Sequence, residues 1–157
     1  MRRFNLLHGE IEREHEDGID GFRWRETWVA GDHLGAERIG GSLYELPPGE
    51  CTFPHHFHYG NEEWLIVVSG EPTVRAADGE HRLRPGDVVC FPAGPEGAHQ
   101  VRNDTDEPSR VFILSTRLQP DVIRYLDGDK LGPRPGVRED SLNFFRRDAV
   151  GYWEGVS

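Results

Sequence analysis

Between Phe53 and Trp64 the chain reads FPHHFHYGNEEW, which sets three histidines and two glutamates within twelve positions. Imidazoles and carboxylates packed this closely have the chemistry of metal ligands. In an extended strand successive side chains alternate between faces, so His56 and His58 share one face while His55 and Phe57 share the other. Both imidazoles of the first pair would reach one ion at about 2.0–2.2 Å if their face looks into a closed interior. YGNE then supplies turn residues, and the chain returns as EEWLIVVSG. There Glu63, Leu65 and Val67 lie on one face, with Glu62, Trp64, Ile66 and Val68 on the other. Both rows are apolar, so alternation alone leaves the register open; Glu63 stands at the head of the Leu65 and Val67 row.

A further donor is His99 in AHQVRN, on the face it shares with Val101 and Asn103. Three neutral imidazoles and one carboxylate suit one divalent first-row ion (Fe, Mn, Ni, Co, Cu or Zn) and suit Ca or Mg poorly. Four such ligands on an octahedral ion would leave two neighbouring positions for water, dioxygen or a pair of substrate oxygens. A solvated surface would account for any one of these residues alone. The conjunction of an HxH pair with a glutamate on the returning strand points instead to a metal. Parity assigns His55 and Glu62 structural or surface roles, and His8, His15, His33 and His81 lie in polar or turn contexts.

The elements that must position these residues read as short strands. Residues 1–20 are polar and without period, an arm or irregular cover. From Gly21 onward GFRWRETWVA, AERIGGSLYEL, EEWLIVV, TVRAADGEHRL, DVVCFP, AHQVRN and SRVFILST follow one another, divided by PPGE, SGEP, RPGD, AGPEG and NDTDEP. About eight strands of roughly 4–8 residues with no helical window between them predict an all-β sandwich, jelly roll or barrel. Beyond Leu118 the pattern loosens: a short strand near DVIRYL, a loop, and one terminal helical turn are expected.

The chain has 157 residues, enough for one domain with a real core. No run of about 20 apolar residues is present to span a bilayer, and the opening MRRFNLLHGE has too short an apolar patch for a signal peptide, so a cytoplasmic protein without a membrane partner is expected. A formal net charge of −10 argues against nucleic acid, whose affinity rests on Lys and Arg displacing counterions. Cys51 and Cys90 read as small buried hydrophobes in a reducing compartment.

Two stretches resemble the motifs of the cupin superfamily, small β-barrels also called double-stranded β-helices. The first, GECTFPHHFHYGNEEWLIVVSG from Gly49 to Gly70, places four residues between His58 and Glu63 and six between Glu63 and Gly70. It carries one extra residue ahead of the HxH pair. The second, GDVVCFPAGPEGAHQVRN from Gly86 to Asn103, places five residues before Pro92 and three between His99 and Asn103. It departs from the family at PEGA, four residues where cupins place two, a lengthening that keeps the parity of His99.

The resemblance implies a cupin-type jelly-roll barrel over residues 21–118, with residues 1–20 as an arm and residues 119–157 as a C-terminal extension packing on the barrel. It assigns His56, His58, Glu63 and His99 as metal ligands. With strand parity, the family's layout also nominates Tyr44, Arg75, Phe91 and Phe112 as substrate-pocket candidates, Arg75 as a fork for a substrate carboxylate. The function it implies is metal-dependent chemistry on a small organic molecule, foremost as an oxidoreductase of dioxygenase type. The rivals are a small-ligand sensor or sequestering module without turnover, and a sugar-type isomerase or epimerase. A homodimer is also implied, since cupins pair barrels edge to edge and Trp64, Ile66 and Val68 would otherwise need cover.

Overall fold

The computed structural model describes residues 1–16 and 18–156. In chain order its strands are β1 Arg13–Glu16, β2 Arg23–Thr27, β3 Ile39–Leu46, β4 His56–His58, β5 Glu63–Ser69, β6 Thr73–Ala76, β7 Gly79–Arg82, β8 Val88–Phe91, β9 His99–Arg102, β10 Ser109–Thr116, β11 Asp121–Tyr125, β12 Lys130–Arg134 and β13 Phe144–Phe145. They form two antiparallel sheets, β1-β2-β3-β10-β5-β8 and β13-β12-β11-β4-β9-β6-β7. This is the all-β, cupin-type barrel that the motifs imply.

Alternation decides which residues fill the barrel. From β5 it takes Leu65 and Val67, from β10 Val111 and Ile113, from β3 Leu46, and from the other sheet Val74 and Val101; all are buried, with Phe91 beside them. The intervening residues point outward, yet most of them are covered. Leu43, Phe112, Ile66, Val68 and Leu114 join Val29, Ile11, Phe4 and Leu6 in a second cluster on the outer face of the six-stranded sheet.

That second cluster shows what the N-terminal residues cover. The N-terminal residues are a built part of the fold: β1 pairs with β2, from Arg13↔Glu26 to Glu16↔Arg23, and Phe4, Leu6 and Ile11 lie over the sheet. Ile66 and Val68 pack, partly buried, against this cluster. Trp64 remains 44% exposed, its indole Nε1 donating to Glu62 at 2.7 Å.

Other segments differ locally. Val29–His33 forms a π-helical turn where a continuing strand is predicted. KLGPR, read as loop because of its Gly and Pro, is β12, paired with β11 from Asp121↔Arg134 to Tyr125↔Lys130. The expected terminal helical turn is present as short 3₁₀ turns at Arg138–Asp140 and Arg146–Asp148. Cys51 is half-buried and Cys90 exposed, because Val89 and Phe91 take the inward positions of β8. The motif glycine Gly70 turns the chain with φ +77°, where a Cβ would stand 2.7 Å from the Ser109 Cα. Among the described residues no helix is long and apolar enough to cross a membrane.

Candidate metal centre

β4 is short, but it lies between β9 and β11, and this fixes the site. His56 sits opposite His99 on one side and opposite Tyr125 on the other, with His58 opposite Ile123. One cross-strand row on the inner face is therefore Tyr125, His56, His99. Glu63, the first residue of β5, faces this row from the other sheet.

The side chains converge as the parity argument requires. The Glu63 Oε2 lies 3.3 Å from the Nε2 of His99, 3.5 Å from that of His58 and 4.0 Å from that of His56. Donor atoms of His56, His58 and Glu63 all fall within 4.8 Å of one another. PEGA, the lengthened stretch of the second motif, folds as a 3₁₀ turn at Pro95–Gly97. That turn leaves the His99 Nε2 within 3.3 Å of the Glu63 Oε2.

Each imidazole is held by its other nitrogen. The Nδ1 of His56 faces the Pro54 carbonyl at 2.8 Å, that of His99 the Gly97 carbonyl at 2.9 Å, and that of His58 the Asp121 carboxylate at 2.6 Å. Two carbonyls and a carboxylate only accept, so each Nδ1 carries the proton and each Nε2 lone pair is turned to the centre. Asp121 also accepts from the Gly60 N–H at 2.9 Å. Gly97 cannot be replaced, since a Cβ there would lie 1.8 Å from the Pro92 carbonyl oxygen.

The electrostatics suit a cation. Burial, then the neighbouring His99, pushes His56 down to about 3 against the pull of Glu63, so it is neutral and ready to ligate. Burial raises the Glu63 carboxyl, but contact with His99 and then the other facing imidazoles outweighs it and holds the group below the usual range. The same balance, with His58, Asn61 and the Gly60 amide as counterweights, keeps Asp121 ionised. Neutral nitrogens with fixed lone pairs around a buried carboxylate match the donor set of a first-row divalent ion.

The centre forms the floor of a cavity of about 300 Å³, walled by Tyr44, Phe53, Ile113, Ile123 and Tyr125 together with Thr52 and Pro54. Burial, then the nearby Glu26, raises the Tyr44 hydroxyl, which stays protonated.

Of the pocket candidates, Tyr44 lines this cavity. Phe91 lies behind it, stacked on His99 with centroids 3.9 Å apart. Arg75 is not brought to the site: Val74 takes the inward position on β6, and Arg75 forms a two-pronged pair with Asp127 at 2.9 and 3.0 Å. Phe112 is on the outer face of β10, and its neighbour Ile113 takes the inward place. His55 is buried with both ring nitrogens unpartnered among the described residues, away from the ligand face. Asn103 ties the loop after β9, donating to the Leu46 and Glu107 carbonyls at 3.0 and 2.8 Å.

Sequence reasoning missed Asp121, Ile123 and Tyr125. Their signal was the alternation in DVIRY, whose odd positions share one face.

Residues 42–115 match the Cupin_2 family, the cupin domain. Among solved structures, the sugar phosphate isomerase of the cupin superfamily from Silicibacter pomeroyi superposes with a TM-score of 0.79 at 24% identity, over 95% of this chain and 96% of that one. A proposed sugar phosphate isomerase from Acidithiobacillus ferrooxidans gives 0.78 at 24%, over 88% and 86% of the two chains. The polyketide cyclase RemF from Streptomyces resistomycificus gives 0.58 at 22%, over 77% and 83%. A search of curated proteins finds no match. At these identities the likeness speaks to the fold.

Proposed function

We propose that this chain, whose residues 42–115 match the cupin domain family, is a metal-dependent enzyme acting on a small organic molecule, an oxidoreductase of dioxygenase type. The observation that carries this reading is the convergence of three fixed imidazole Nε2 atoms on the Glu63 carboxylate at the floor of the cavity.

His56, His58, Glu63 and His99 would hold one divalent transition ion. When bound, such an ion supplies Lewis acidity and, if iron, access to dioxygen. The chain's own residues do the rest. Phe53, Ile113 and Ile123 exclude water and strengthen every polar contact inside. Tyr44, kept protonated, offers a hydroxyl donor to a substrate oxygen. Asp121 holds the His58 ring in orientation.

The wall decides which substrates fit. Beyond the four ligands it presents the hydroxyls of Tyr44, Thr52 and Tyr125, and among the described residues it holds no Lys or Arg. A compact molecule with two neighbouring oxygens, such as an enediol, a 1,2-diketone or a catechol, fits this lining better than a polyol does. The second reading, a sugar-type isomerase, draws on the near full-length likeness to the two isomerase structures.

Oxygen uptake separates them. Protein loaded in turn with Fe, Mn, Ni, Co, Cu and Zn is offered enediols, diketones and catechols in an oxygen electrode, with anaerobic samples in deuterated water alongside. Oxygen consumption matched by product supports the dioxygenase, and anaerobic turnover with deuterium incorporation at carbon supports the isomerase. Tight binding with no product under any ion would leave a sensor or sequestering module and sink the enzyme reading.

A further inference from the structure

The metal cavity opens beside a second, larger chamber of about 730 Å³ between β2 and β12. Thr52, Phe53 and Pro54 line both spaces. Opposite them stands a linked pair: Tyr125 lines the metal cavity, Arg134 lines the outer chamber, and the Arg134 Nη2 donates to the Tyr125 hydroxyl oxygen at 3.2 Å. The pair marks the boundary between the two spaces.

Arg134 differs from the other half-buried arginines in what it faces. Arg102 is matched by Glu80 and Asp104, Arg110 by Glu45, and Arg124 by Asp129. Arg134 makes four hydrogen bonds to neutral acceptors: the Pro133 carbonyl at 3.0 Å, the Leu142 carbonyl at 2.8 Å, the Asn143 Oδ1 at 3.0 Å and the Tyr125 hydroxyl. Among the described residues no carboxylate lies within ion-pair distance of it, and its Nε–H has no partner. The chamber's own carboxylate, Glu26, faces the His15 Nε2 at 3.4 Å. A second cation, Lys130, stands with its Nζ 5.4 Å above the Tyr125 ring, also without an acidic partner among the described residues.

In a chain of net charge −10, an uncompensated guanidinium at the edge of a cavity is an uneven arrangement. Withdrawing a cation from water costs free energy that neutral acceptors return only in part, and an anionic group at hydrogen-bond distance would restore the balance. The Tyr125 hydroxyl accepts from Arg134, so its own proton is free to be donated. Its ring stands 6.1 Å from that of His56, within the span of a small ligand reaching the metal ligands. Trp24, in the same chamber wall, keeps its indole N–H buried without a partner among the described residues.

We propose that Arg134, with Tyr125 and Lys130, is an anion-recognition site at this boundary, and that the substrate is a small organic acid or organic phosphate. Its neighbouring oxygens face the four metal ligands while its carboxylate or phosphate is received by the guanidinium fork. This rests on the metal-site reading above and names the substrate class that reading leaves open. It also accounts for a metal cavity without cationic lining, because the cation stands one chamber further out.

Calorimetric titration of malonate and of inorganic phosphate into metal-free and Zn(II)-loaded full-length protein tests it. Wild type is expected to bind both anions, Arg134→Gln to weaken both by about tenfold or more in either metal state, and Arg134→Lys to recover phosphate better than malonate. Tyr125→Phe is expected to lose a smaller factor, and Zn(II) uptake to be unchanged in Arg134→Gln. Because Arg134 also ties Asn143, Asn143→Ala serves as the structural control and should leave anion binding within about twofold. Equal binding by wild type and Arg134→Gln, no binding by wild type, or an equal loss in Asn143→Ala would overturn the proposal. Absence of Zn(II) uptake with Arg134-dependent anion binding intact would instead strike at the metal site alone.

Discussion

The segment from Gly49 to Asn103 and strand β11, which lies beyond β10, contribute to one site in different ways. The first supplies the four side chains that would hold a metal; the second supplies what orients and walls them, Asp121 on the His58 Nδ1 and Ile123 and Tyr125 in the cavity. His56 and His58 share a face two positions apart, and Glu63 and His99 stand at set places in the two motifs, so the set leaves a sequence signature. Supporting groups need only arrive at the same place, and β11 does so by pairing with β4, more than sixty positions away in sequence. The lesson is that a site's ligand set is local information and its tuning is tertiary information.

The sharpest test breaks the local half. Replacing His56 and His58 together by alanine should lower ion affinity by on the order of 10³-fold or more, read by equilibrium dialysis with elemental analysis, and abolish turnover. His55→Ala, one position away and on the opposite face, should leave ion uptake at the wild-type level. Equal uptake by the double variant would refute the centre.

How far this contrast is legible beforehand follows from particular residues. His56, His58 and Glu63 follow from period-two alternation once one face is taken as inner, and the buried Leu65 and Val67 fix which face that is. Ile113 was hidden because β10 is apolar on both faces: Phe112 and Leu114 are covered by the N-terminal arm, so hydrophobicity could not tell inside from outside. β12 was hidden by its Gly and Pro, which ordinarily argue against a strand; near the edge of the sheet they are tolerated. Arg134 and Arg75 illustrate the same limit. Which arginine meets an acid and which meets a cavity depends on partners that only the fold brings together.

The arm can be tested as the cover of the outer core. Ile11→Ala removes a buried side chain and should cost about 2–4 kcal/mol in urea unfolding, with ion affinity in the remaining folded protein unchanged. A comparable loss of ion affinity would show that the outer core and the site are not the separate regions described here.

Next in size is the tertiary half of the centre. Asp121→Asn keeps the shape and removes the charge that fixes the His58 tautomer; such partners are worth about 10–100-fold in ion affinity. The measurement is the same dialysis, and the loss should fall clearly below that of the double histidine variant. Affinity within a factor of two of wild type would mean that β11 contributes walls and no tuning.

The remaining effect is the one in acid, and its sign is fixed by the depressed groups. In the metal-free protein His56 is held near 3 by burial, against about 6.5 in the unfolded chain. The unfolded state therefore binds the extra proton first, so stability is complete above about pH 6.5 and falls toward pH 3, by at most about 1.4 kcal/mol per pH unit. His55, lowered by burial and then by Arg75, adds in the same direction. Glu63 and Asp121, both held below their ordinary values, contribute stability above the usual carboxylate range that is lost only as pH falls through their folded values. The two parts of the site thus titrate in separate windows. His56→Gln should flatten the dependence of the urea midpoint between pH 7 and 5, leaving the residue due to His55, and Asp121→Asn should alter the profile only below about pH 4. Parallel wild-type and His56→Gln profiles from pH 7 to 5 would show that His56 is not the buried neutral imidazole that the centre requires.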